Sequence, residues 1–368
     1  MHLCFSITAH GYGHGAISCA VINKIIQYHP EIKITVLSLL PKAYLASRIQ
    51  GEYELIPVGN DFGMLMHSPI EVDRQASALK YLSLYNNWQQ AVDQEKQILQ
   101  EIKPDCLISN ISPITLEAAM LLNIPTASVA PFNWAQIYQV YCLDPQQPEK
   151  HQAKSIFNKM VSIYQRVDFI YKPLPSVPFA AADEIQIASI CDTPAQSSPR
   201  LLQKLPSTVK KIGLVALGGL PMQLDLENWP RMDGWHWLVD QQENQLRDDM
   251  SQLSKLDIPF LELVANSDLI LTKPGYGTYC EIAAIAAAQK VRVITLERPD
   301  WPETPYLNAF LRSRVPVAEV SIAQLTGDKL RKVIVQLQRQ DYPPIQRCAD
   351  GALQLSEHLL KQLNSQAT

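Results

Sequence analysis

Several things are scarce or missing in this chain of 368 residues. Its seven cysteines (Cys4, Cys19, Cys106, Cys142, Cys191, Cys280 and Cys348) are scattered, and none forms a Cys-x-x-Cys pair. That removes the usual zinc and redox spacings and fits buried free thiols in a reducing compartment. Nor is there an excess of basic charge: the formal net charge is -4, where a nucleic-acid binder needs a basic face, so no nucleic-acid partner is expected. No apolar run approaches the roughly 20 residues of a membrane helix, so no transmembrane segment is expected. The N-terminus enters a strand without a basic leader, which points to a cytoplasmic protein. Asp-x-Asp, the pair that holds a nucleotide diphosphate through a metal in many enzymes, occurs nowhere.

What is present is a globular composition, 47% hydrophobic and 18% charged, in a chain long enough for two domains. Residues 2–8 read as a buried strand, 16–28 as an amphipathic helix, 32–39 as a strand and 41–49 as a helix. This βαβα opening predicts an α/β protein with parallel sheets. Further strands are expected at 53–58, 106–109, 125–129, 167–171 and 185–190. Helices are expected at 71–101, 114–122 and 155–166. The Pro/Ser/Thr/Gln-rich stretch 191–199 marks a joint between domains 1–190 and 191–368. The second half restarts the pattern, with strands at 212–217, 229–240, 269–272, 291–296 and 318–320. Helices at 322–337 and 346–363 close the chain, and the last one is expected to pack back on the first domain.

The most informative stretch follows the strand at 269–272. Gly275-Tyr276-Gly277-Thr278 makes a turn, and an alanine-rich helix carrying Glu281 follows. Amides at such a helix N-terminus, helped by the macrodipole, hold phosphates. Glu281, about one turn in, is placed for a ribose diol. Gly218-Gly219 follows the first strand of the second half, where a diphosphate would lie in an interdomain cleft. At the other end of the chain, Ala9-His10-Gly11-Tyr12-Gly13-His14-Gly15 puts two histidines four apart among glycines. An imidazole there could serve as general base for a hydroxyl. A metal site and a plain structural turn are the alternatives. Asn133 ends a strand, and Asp300 and Glu303 follow one. Asn133 is thus well placed for ligand contact, while Asp300 and Glu303 could accept hydrogen bonds from sugar hydroxyls, with solvated loop carboxylates the plainer reading of those two.

Together these stretches resemble the GT-B glycosyltransferases, two Rossmann-like doubly wound domains facing across a cleft. They are most similar to the glycosyltransferase-like N-terminal region of plant L-arabinokinase and its stand-alone bacterial relatives. The resemblance rests on Thr8 through His14, Val72-Asp73-Arg74, Asn133-Trp134 with Ile137-Tyr138, Gly218-Gly219 with Asp233-Gly234-Trp235, and Ser267 through Glu281 continuing to Glu303-Thr304-Pro305-Tyr306-Leu307. More distantly, the chain resembles the N-acetylglucosaminyltransferase that completes lipid II. On that resemblance His14, or else His10, is the base, and Glu281 binds the ribose. Gly275, Tyr276, Gly277, Thr278, Gly218 and Gly219 hold the diphosphate. Gly11, Gly13, Asn133, Asp300 and Glu303 face donor sugar or acceptor.

The implied activity is metal-independent transfer of a sugar from a nucleotide-sugar substrate, expected to be a UDP-sugar, to a hydroxyl, with no cofactor. The rivals are a nucleotide-sugar epimerase or isomerase on the same fold and a non-catalytic nucleotide-sugar-binding module. The apolar loop 62–66 and the aromatics Tyr81, Tyr85 and Trp88 suggest an apolar or lipid-linked acceptor, with peripheral attachment at the inner membrane face. Packing between helices explains them equally.

Overall fold

The computed structural model describes residues 1–143, 150–179, 184–192, 199–218, 222–241, 246–347 and 349–366. Gly219, part of the 191–199 stretch and Cys348 lie outside the described residues.

The strands in chain order are β1 (His2–Ile7), β2 (Lys33–Ser38), β3 (Glu54–Ile56), β4 (Met66–Ser68), β5 (Glu71–Val72), β6 (Cys106–Asn110), β7 (Thr126–Val129), β8 (Phe169–Pro173), β9 (Glu184–Ile187), β10 (Lys211–Ala216), β11 (Trp235–Val239), β12 (Met250–Gln252), β13 (Leu269–Thr272), β14 (Arg292–Leu296) and β15 (Val317–Val320). The helices are α1 (Gly13–Tyr28), α2 (Lys42–Arg48), α3 (Arg74–Asn86), α4 (Trp88–Ile102), α5 (Pro113–Leu121), α6 (Trp134–Cys142), α7 (Lys150–Tyr164), α8 (Pro199–Lys204), α9 (Phe260–Ala265), α10 (Tyr276–Ile285), α11 (Thr304–Arg312), α12 (Gly327–Gln338) and α13 (Gly351–Gln366).

Two sheets organise them. The first runs β3-β2-β1-β6-β7-β8-β9 and the second β12-β11-β10-β13-β14-β15, every pairing parallel. Each order reverses once, between β1 and β6 in the first and between β10 and β13 in the second. In doubly wound sheets the crevice at that reversal, outside the carboxyl ends of the strands, is where ligands bind. Central strands are apolar throughout: β13 is buried at all four positions and β1 at five of six. Near-continuous apolar runs are what a sheet covered on both faces requires.

One apolar cluster begins at Leu3 and Phe5 of β1. It runs through Ile17 and Val21 of α1 to Tyr279 and Ile282 of α10, and takes in Leu355 and Leu359 of α13. The C-terminal helix therefore lies against the first half. Tyr171 of β8 hydrogen-bonds His358 at 2.8 Å, and the Ala188 amide donates to Gln354 Oε1 at 2.8 Å.

Three segments differ from their sequence reading. The helix expected over 71–101 is instead a small antiparallel hairpin, β4–β5, followed by two helices that break at Asn87. Asp73 caps α3 by accepting from the Ala76 amide, so the chain cannot be helical before it. The helix expected over 322–337 begins only at Gly327, where φ is +39°, and the closing helix starts at Gly351.

The apolar loop and aromatic helix are packed on each other. Phe62 lies 4.6 Å from Tyr81, Tyr81 lies 4.9 Å from Tyr138 (centroid distances), and Trp88 is buried.

Candidate active site

The two crevices face each other across a cavity of about 350 Å³. His10, Gly11, Gly13 and His14 line it from the first half. Gly218, Gly275, Tyr276, Gly277, Thr278, Glu281 and Glu303 line it from the second. Residues nearly 270 positions apart in sequence thus meet in one space.

α1 starts directly after the β1 turn and α10 directly after the β13 turn. Neither has a side chain capping its first amides, so both expose unpaired N–H groups at the positive end of the helix. The two termini nearly touch: a Cβ on Gly277 would lie 3.2 Å from the Ala16 Cβ. Any side chain there would have to push Ala16 back by a few tenths of an ångström.

His14 is buried, and its Nδ1 lies 2.7 Å from Oδ1 of Asn110, at the carboxyl end of β6. Asn110 cannot turn its amide round, because its Nδ2 donates to the His14 carbonyl at 3.1 Å and to Ser18 Oγ at 3.2 Å. With Oδ1 facing the ring, Nδ1 must be the protonated nitrogen, which leaves Nε2 with a free lone pair. Burial pushes the imidazole down to about 4, against a smaller upward pull from Asn110. At neutral pH His14 is an uncharged, oriented base.

His10 is different. Its ring stacks on Trp301 (6.1 Å, planes 6° apart) and meets Trp134 edge-on at 5.1 Å. Its Nε2 has no hydrogen-bond partner among the described residues. Burial first, then His14, Lys273 and Arg298, hold its pKa well below the usual histidine value. It forms an aromatic wall of the cavity. Trp134 is itself fixed by its Nε1–H bond to Asp61 at 3.1 Å, and Asp61 also binds Thr8 and the Gly63 amide.

The second half contributes two cations that the sequence reading did not single out. Lys273 follows β13 and Arg298 follows β14, and both line the cavity. Lys273 sits beside Gly218, whose φ is +86°, and its Nζ donates to the Pro69 carbonyl at 3.2 Å. Burial, and then Arg298, push its pKa down to about 8. Arg298 is 4% exposed and lies 3.8 Å over the Trp301 ring. Its Nε and Nη2 have no hydrogen-bond partner among the described residues.

Glu303 is buried and accepts from Trp301 Nε1 at 3.3 Å through Oε2, while Oε1 is unpartnered among the described residues. Burial raises its pKa to about 7, against pulls from Trp301, Arg298 and Lys172.

Glu281 lines the cavity, yet its Oε1 accepts from Arg48 Nη1 of α2 at 2.7 Å. Asp192 stands 3.6 Å from the same nitrogen. The carboxylate thus ties the two halves together, and a ribose diol would have to share or displace that bond.

Two sequence candidates fall outside the cavity. Asn133 caps α6, accepting from the Gln136 amide while the Gln136 side chain accepts from the Asn133 amide. The capping-box spacing Asn-x-x-Gln was visible in the sequence. Asp300 is exposed and stands 3.9 Å from Arg74. Among the described residues there is no cluster of three or more His, Cys, Asp or Glu side chains that could hold a metal ion.

No family model matches the chain. The L-arabinokinase of Arabidopsis thaliana is 26% identical over 318 residues, which is 84% of this chain and 30% of that protein. This chain therefore spans less than a third of that relative's length. Among solved structures, Arabidopsis thaliana UGT89C1 complexed with UDP superposes with a TM-score of 0.61 at 14% identity, covering 98% of this chain and 99% of that one. The fold is GT-B. Acinetobacter baumannii MurG, at a TM-score of 0.53 and 14% identity, covers the same shares. In GT-B terms the β1/β6 crevice belongs to the N-terminal Rossmann-like domain and the β10/β13 crevice to the C-terminal one. The cavity between them is the interdomain cleft. No helix among the described residues is long and apolar enough to cross a membrane.

Proposed function

We propose that the protein transfers a sugar from a nucleoside-diphosphate sugar, with UDP the expected nucleotide, to a hydroxyl acceptor, without a metal ion. One observation carries the reading. An uncharged imidazole oriented by Asn110 faces, across one cleft, the uncapped N-terminus of α10 and Lys273.

The chemistry follows from that opposition. His14 Nε2 takes the proton from the acceptor hydroxyl. The freed oxygen attacks the anomeric carbon as the bond to the diphosphate breaks. Charge grows on the departing phosphate, where the first amides of α10 and the Lys273 ammonium stabilise it, the kind of pre-set electrostatic aid that dominates many rate enhancements. Asn110 holds the ring and carries no charge, so it does not trap the imidazole in its protonated form before reaction. The aromatic wall of His10, Phe132 and Trp301 keeps water from the reacting centre. The sugar kinase activity in the plant relative's name belongs to a protein of which this chain covers 30%, and it forms no part of the reading.

The test is a thermal-shift screen against UDP, GDP, dTDP, CDP and ADP, with magnesium or with chelator. A ligand at about a hundred times its dissociation constant stabilises by roughly 2.7 kcal/mol. A shift with one nucleotide, indifferent to chelator, is expected. That nucleotide's sugars are then assayed with and without hydroxyl acceptors. Silence with all five nucleotides would sink the reading, and conversion of a donor without any acceptor would replace it with an isomerase.

A further inference from the structure

Once a diphosphate is assigned to the α10 terminus and Lys273, the second cation is unaccounted for. Arg298 follows β14, one strand further across the sheet than β13. The described surroundings give its Nε and Nη2 no partner at 4% exposure. Such burial of a charged fork without an acceptor is costly. The nearby carboxylates do not satisfy it. Asp300 and Glu303 attract it electrostatically, but neither forms an ion pair or hydrogen bond with it: Asp300 is exposed and 3.9 Å from Arg74, and Glu303 accepts from Trp301 through Oε2.

Its direction across the sheet can be read from the cleft lining. Asp240, Leu253 and Phe260 line the cleft on the β11/β12 side, Gly218, Lys273 and Gly275 line the middle, and Arg298, Trp301 and Glu303 line the β14 side. Laid with its diphosphate at Lys273 and its base toward Asp240 and Phe260, a nucleoside-diphosphate sugar would place its sugar at the β14 side.

The geometry points to a donated sugar that carries a carboxylate, a hexuronic acid, received by the unpartnered fork of Arg298 with Glu303 beside it. The inference rests on the transferase reading. A guanidinium presents two parallel N–H donors, which match a carboxylate and give nothing comparable to a primary alcohol. Trp301 under the guanidinium holds the fork flat and aimed. With a pKa of about 7, Glu303 can take a proton and offer it to the same acid or to a neighbouring hydroxyl.

The experiment is calorimetric titration of the full chain with UDP, UDP-glucose, UDP-glucuronate and UDP-galacturonate, repeated on Arg298→Gln. At least one uronate is expected to bind about tenfold to a hundredfold more tightly than UDP-glucose, the range for a charge-assisted bidentate contact. Arg298→Gln should erase that preference and leave UDP affinity unchanged. Equal affinities for glucose and both uronates, with UDP bound, overturn the inference and leave the transferase reading standing. An equal loss of UDP and uronate affinity in the variant assigns Arg298 to the diphosphate and also overturns it. Failure of all four to bind overturns a UDP-hexuronate donor, while the transferase reading falls only if the five-nucleotide screen is silent as well. The wild-type comparison needs no variant, so it decides the matter even where Arg298→Gln does not fold.

Discussion

The two crevices have the same strand order and opposite chemistry. Around His14 the groups are neutral: Asn110 meets its ring, and the Asn110 amide in turn donates to Ser18 and to the His14 carbonyl. Beside the α10 terminus stands Lys273. One topology has been filled once for proton acceptance and once for anion stabilisation. A base needs its proton-free form, which burial among neutral groups secures. A leaving group needs positive charge in place before it departs. Placing both in one crevice would set the cation directly against the imidazole. Dividing them between two sheets keeps each at its own task.

The largest expected effect comes from emptying the first crevice. His14→Ala should lower turnover by about 10²–10⁴-fold, the usual yield of a general base, with nucleotide affinity unchanged by titration. A normal rate would remove the base assignment and with it the contrast between the crevices.

Lys273→Met attacks the other side. Nucleotide affinity should fall by about 10- to 100-fold, as for loss of a charge-assisted contact. The pH dependence sharpens this. In the free protein Lys273 loses its proton near pH 8, and a bound diphosphate favours the protonated form and raises that value. Affinity should therefore be flat below pH 8 and fall above it, by up to about tenfold per unit. The slope should be absent in Lys273→Met.

Asn110→Asp blurs the distinction deliberately. A carboxylate beside His14 should lift the imidazole from about 4 by roughly 1–3 units. The acid limb of the pH–rate profile should move up with it, and an unmoved limb would mean that another group carries that limb.

The smallest change tests a residue placed outside both crevices. Asn133→Ala should cost about 1 kcal/mol of stability as a lost helix cap, read by denaturant titration, with nucleotide affinity untouched. Altered affinity would return Asn133 to the site.

The halves also differ in how legible they were in the sequence. The turns around His14 and Gly275–Thr278 could be read because glycines beside a strand–helix change announce a close approach. The alternating strands and helices, and with them the parallel sheets, followed from periodicity. What could not be read depends on partners distant in sequence. Asn110 is an ordinary strand-end residue until its amide meets His14, 96 positions away. Arg48 reads as a helix-end cation, yet it meets Glu281 233 positions on. Lys273 and Arg298 carried no local mark, since a buried cation looks like any surface cation in sequence. Asn133 went the other way: its position after a strand suggested a ligand contact, while Gln136 three residues on already announced a cap.

Trp301 belongs by chain to the second half, yet it is 3% exposed in the apolar cluster of the first, beside Phe132 and Tyr141. α13, also from the end of the chain, lies on the first sheet. The protein is therefore sewn together at these two places as well as by the Arg48–Glu281 pair, and the seam crosses the cleft. Cutting the gene between the halves would yield two fragments, each with a hole where the other's side chains belong: one lacking its indole and its covering helix, the other presenting both to water. The two Rossmann-like units look like separate modules in their topology, but they should be expressed, crystallised and evolved as one piece.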